Sequence, residues 1–137
     1  MAELAGEFDF PTVELPAAAC ISPETAVRFL VAKLAQQDRL ELEHVDSVVH
    51  HVLGRELLGA TTLSGGVALP HGQSDSIEDV LGLFARAQVP IQWPGAADRK
   101  PVHTVCLLVT PTSKPGTNIR ALGGVAKRFR EGESLCG

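Results

Sequence analysis

The sequence predicts a single α/β domain, and three stretches carry that prediction. Ser22 to Ala35 reads as a capped amphipathic helix, Val102 to Thr110 as a buried strand, and Asn118 to Arg130, after the loop Pro111 to Gly116, as an amphipathic helix. Strand and helix patterns that alternate in this way along 137 residues predict layers packed around one core. A chain of this length buries roughly two thirds of its unfolded surface.

In chain order, Met1 to Pro11 is unpatterned and expected to be a loose leader. Val13 to Ile21 is apolar but interrupted by Pro16, which suits an edge strand. Ser22-Pro23-Glu24 combines an N-cap, a first-turn proline and an acid at the positive helix end. The stripe Ala26, Val27, Leu30, Val31, Leu34, Ala35 follows with helical spacing. Glu41 to Leu53 predicts another helix, with Val45, Val48, Val49, Val52 and Leu53 apolar and Gly54 weakening its end. Gln73-Ser74-Asp75 is loop chemistry, and Val80 to Ala87 reads as a strand that stops before Pro90. Ile91 to Lys100, holding Trp93, Pro94 and Gly95, reads as a loop. The near-continuous apolar run Val102 to Thr110 predicts a central strand covered on both faces. Thr117 is a candidate cap for the last helix, whose stripe is Ile119, Leu122, Val125, Ala126 and Phe129.

Composition excludes several classes. The net charge of −4, the lack of basic runs, the absence of Tyr and the single Trp argue against nucleic acid or an anionic membrane as partner. No apolar run approaches the roughly 20 residues of a membrane span. The acidic N-terminus does not resemble a signal peptide. Cys20, Cys106 and Cys136 are odd in number and widely spaced, so they read as reduced thiols of a cytoplasmic protein rather than disulfides or zinc ligands. His44, His50 and His51 lack the i, i+4 spacing of a helical metal pair and read as solvated; no metal or organic cofactor is expected.

The candidate working residue is His71, in Leu63-Ser-Gly-Gly-Val-Ala-Leu-Pro-His-Gly72. A strand-like run ends there at Pro70, His71 and Gly72. Pro70 biases Leu69 towards extended geometry, and Gly72 lets a partner or anion come close. On spacing alone, an ordinary loop histidine is the competing reading.

Arg55-Glu-Leu-Leu-Gly-Ala-Thr61 followed by Gly66-Val-Ala-Leu-Pro-His-Gly72 resembles the type-2 EIIA domain of the bacterial phosphotransferase system. This is the fructose/mannitol class, which includes the nitrogen-regulatory EIIA proteins. The likeness runs from about Ala19 to Arg130 and implies a central mixed sheet flanked by helices. It also implies that His71 accepts a phosphoryl group from a histidine phosphocarrier, HPr or its nitrogen-branch counterpart, with Arg55 beside the phosphohistidine. Thr61, Gly66 and Gly72 become candidates to stabilise the phosphate; for Thr61, capping or packing is an equal alternative. Three features depart from the family's pattern. Asn118 stands where the family often has a second His, Ser64-Gly65-Gly66 lacks the turn's usual polar residue, and the family's segment beyond Arg130 is expected to be missing. A nitrogen-regulatory role is favoured. The alternatives are a transport protein passing phosphate to an EIIB, and a non-phosphorylated interaction module.

Overall fold

The computed structural model describes residues 10–63, 65–96 and 98–130. Most of the expected leader, Ser64, Cys136 and the segment beyond Arg130 lie outside the described residues. The end of that leader is docked: the Phe10 ring sits 5.7 Å from Phe84, and Pro11 O accepts a hydrogen bond from Phe84 N at 2.9 Å.

Among the described residues, six strands form one mixed sheet. They are β1 (Thr12–Leu15), β2 (Thr62–Leu63), β3 (Val67–Ala68), β4 (His71–Ser74), β5 (Leu81–Ile91) and β6 (Val102–Pro111). The order is β1-β5-β6-β3-β2, and β4 also pairs with β6, continuing the line of β3. β1 is parallel to β5; β3 and β4 are parallel to β6; β5–β6 and β2–β3 are antiparallel. The helices are α1 (Pro23–Gln36), α2 (Val45–Leu57) and α3 (Thr117–Arg130).

The core follows the alternation along β6. Val105, Leu107 and Val109 pack with Val27, Leu30, Val31 and Leu34 of α1 and Val48, Val49 and Val52 of α2. Cys106 and Leu108 pack on the opposite face with Ala121 and Val125 of α3. Helices therefore cover both faces of the central strand, as its continuous apolar run predicts. Each fully buried Val, Leu or Phe contributes about 1.5–3 kcal/mol. Burial pushes the Cys106 thiol well up, so this cysteine is a protonated core residue.

Helix α1 begins as its sequence predicts. Ser22 Oγ accepts from Thr25 N at 3.2 Å, and Ser22 N donates back to Thr25 Oγ1 at 3.0 Å. Such a cap is worth about 1 kcal/mol. Four expectations are corrected. Helix α2 passes through Gly54 to Leu57 and so carries Arg55 in its last turn; an exposed helical glycine costs only about 1 kcal/mol. Strand β5 continues to Ile91, because Pro90 falls in a register break between Arg86 and Ile91, where a missing N–H is tolerated. Gln73 and Ser74 lie in β4, not in a loop. Ile119 is exposed rather than part of the α3 stripe.

Candidate functional site

His71 opens β4 rather than ending a strand. The apolar run before it divides, with Val67–Ala68 forming β3 and Leu69-Pro70 making the step between strands. His71 lies opposite Leu108 in the register and so shares the α3 face of the sheet. Gly72 lies opposite Val109, on the α2 face. A Cβ on Gly72 would stand 2.9 Å from Val52 Cγ2 and 3.1 Å from His51 Cδ2. The glycine is thus where α2 closes onto the strand beside His71.

A cleft of about 200 Å³ results, lined by His51, Arg55, His71, Gly72, Gln73 and Asn118. It lies between the last turns of α2 and the first turn of α3. Three of the expected site residues, Arg55, His71 and Gly72, meet here, with Asn118 across from them. Arg55 Nη1 donates to Gly59 O at 3.0 Å, which holds the guanidinium near the end of its helix.

The imidazole is oriented by its own backbone. His71 Nδ1 lies 2.9 Å from Leu69 O. A carbonyl only accepts, so Nδ1 carries the proton and Nε2 presents a lone pair. Burial, helped by the nearby Arg55 charge, lowers the His71 pKa from its ordinary value. The Leu69 hydrogen bond and Glu56 oppose that shift but do not reverse it. The ring is therefore neutral at pH 7, the form a nucleophilic nitrogen needs.

Thr61 acts one step back from the cleft. Its Oγ1 is 2.7 Å from Leu69 O and 3.1 Å from Glu56 Oε1, so its single proton is directed mainly to the carbonyl that orients His71. Leu69 N donates in turn to Thr61 O at 2.7 Å. The Glu56 carboxylate accepts from Thr61 N at 3.2 Å and from Trp93 Nε1 at 3.0 Å. A relay of hydrogen bonds thus runs from Trp93 through Glu56, Thr61 and Leu69 to His71. Sequence reasoning assigned no part in it to Glu56 or the loop residue Trp93; their only signal was Glu56 directly following Arg55.

Gly66 is placed elsewhere. It sits in the β2–β3 turn at φ +80°, its oxygen accepts from His103 N and Thr104 N, and a Cβ would stand 2.6 Å from the His103 ring. It does not line the His71 cleft. His51, read from sequence as a solvated helix residue, does line it. Glu41, Glu43 and His44 bring three potential metal donors within 4.8 Å of one another. Two of them are exposed carboxylates.

Residues 12–135 match the family model described as phosphoenolpyruvate-dependent sugar phosphotransferase system, EIIA 2. A nitrogen regulatory protein of Bradyrhizobium diazoefficiens is 36% identical over 121 residues, covering 88% of this chain and 76% of the relative. The crystal structure of nitrogen regulatory protein IIA-Ntr from Neisseria meningitidis superposes with a TM-score of 0.74 at 25% identity, covering 90% of this chain and 80% of that one. The Escherichia coli complex of enzyme IIAMTL and phosphorylated enzyme IIBMTL matches in fold, with a TM-score of 0.59 at 20% identity and coverage of 84% and 83%. No helix among the described residues is long and apolar enough to cross a membrane. With its mixed sheet, its His71 cleft and this match over nearly its whole length, the chain belongs to the EIIA type-2 family of the phosphoenolpyruvate-dependent sugar phosphotransferase system.

Proposed function

We infer that His71 accepts a phosphoryl group on Nε2 from a histidine phosphocarrier in the cytoplasm, and that the protein works as a nitrogen-regulatory EIIA. The observation that carries this reading is the Nδ1–Leu69 hydrogen bond, which commits the opposite nitrogen of a neutral ring to the reaction. The Nε2 lone pair forms the new P–N bond as the carrier's N–P bond breaks. The bonding electrons return to the carrier's imidazole. The proton stays on Nδ1, donated in a hydrogen bond to Leu69 O, and that carbonyl stabilises positive charge developing on the ring. Arg55 and backbone N–H groups near Gly72 offer counter-charge and donors to the phosphoryl oxygens.

The regulatory role is supported by relatives described as nitrogen regulatory proteins. Transfer onward to an EIIB is the second reading, favoured by the fold shared with an EIIA solved in complex with its EIIB. Exposed Leu57 and Leu58, just beyond Arg55, and Ile119, beside Asn118, supply apolar contacts for a protein partner. The test is incubation with phosphoenolpyruvate, enzyme I and the phosphocarrier, read by intact mass. One phosphate should appear and be lost in His71→Ala. An adduct that persists in the variant, or none in the native protein with any cognate carrier, contradicts the assignment.

A further inference from the structure

Helix α2 brings a second imidazole to the His71 cleft. His51 stands four residues before Arg55, so the two share one helix face. The bare Cα of Gly72 lets that face approach β4, with His51 Cδ2 only 3.1 Å from where a Cβ would be. Of the groups lining the cleft, Gln73 and Asn118 cannot titrate, His71 is the acceptor, and Arg55 already donates to Gly59 O. His51 is the group left whose charge can respond to an arriving anion.

Among the described residues, its charged and titratable neighbours are few. His51 shares an adjoining hollow with Arg28 of α1 and with Asp46 and His50 of its own helix. Arg28 is paired with Glu24 at 3.1 Å. Arg55, one turn further along the same helix face, and His71 of β4 line the cleft with it. The Glu56 carboxylate is taken up by Thr61 and Trp93. A phosphoryl group on His71 adds about −1.5 to −2 charges and three acceptor oxygens, far more anionic character than Asp46 alone provides.

We propose that His51 is the second cation of the phosphoryl site: it takes up a proton when His71 is phosphorylated and donates to the phosphoryl oxygens beside Arg55. This rests on His71 being the acceptor. It places on α2 the proton-binding, charge-compensating role that Asn118 at the start of α3 cannot perform.

The test follows the ring resonances of His50 and His51 by NMR through a pH titration, before and after phosphorylation by enzyme I and the carrier. The midpoint for His51 should rise by about one pH unit, a tenfold coupling. His50, projecting about 100° around the helix, is the internal control and should stay put. Reciprocally, His51→Gln should lower the equilibrium phosphorylated fraction up to about tenfold near pH 6 and converge with the native protein as pH rises through the elevated midpoint. An adduct on His71 with no movement of His51, or movement equal to that of His50, overturns this inference and leaves the acceptor assignment standing. Absence of any adduct overturns the acceptor assignment, and this inference with it.

Discussion

At the scale of single residues, the site depends on which nitrogen of His71 is free. Leu69 O uses both lone pairs, one on His71 Nδ1 and one on Thr61 Oγ1. Thr61→Val removes the second donor and one contact to Glu56. It should cost about 1 kcal/mol in denaturant unfolding and slow phosphorylation without abolishing it, because the His71 bond remains. The pH behaviour follows from burial. The folded protein binds the His71 proton less readily than the unfolded chain does, so acid favours unfolding. That penalty is absent well above about pH 6.5, grows as pH falls through that value, and levels off below the lowered folded-state value. His71→Asn should flatten the slope of stability against pH below about pH 6.5. The meeting of His71 and Arg55 in one cleft was legible because Pro-His and the upstream Arg form a motif. The Trp93–Glu56–Thr61 relay was not, because it joins residues up to 37 positions apart through side-chain geometry that no local pattern encodes.

At the scale of elements, the site depends on how closely α2 lies against β4. Gly72→Ala places a methyl 2.9 Å from Val52 Cγ2 and should destabilise the fold by about 1–3 kcal/mol, measured by urea unfolding. The same shift moves Arg55 and His51, so phosphorylation should fall more than stability alone explains. The three helices were legible from stripes and caps. Their ends were less so: α2 outlasts Gly54 because packing of Val48, Val49 and Val52 outweighs one poor helix former. The division of Leu63–Gly72 into three short strands was illegible. It is set by the pairing of β3 and β4 with β6, a segment more than thirty residues away, and by the antiparallel turn that pairs β2 with β3.

At the scale of the whole molecule, three layers hold the cleft at one edge of the sheet, between α2 and the start of α3. Leu107 is fully buried between the sheet and α1–α2, and Leu107→Ala should cost about 2–5 kcal/mol in calorimetric or denaturant unfolding. The fold class was readable because β6 is apolar along both faces and the helices flank it in sequence. The mixed pairing came only through family resemblance, since strand direction leaves no mark on local hydrophobic pattern. The measurement that bears most directly on the account is a long-range ¹H–¹⁵N correlation spectrum of the ¹⁵N-labelled protein after phosphorylation by enzyme I and the phosphocarrier. The orientation of the ring predicts phosphate attached to Nε2 of His71, with Nδ1 still the nitrogen facing Leu69. Phosphate on Nδ1, or on another histidine, would contradict it.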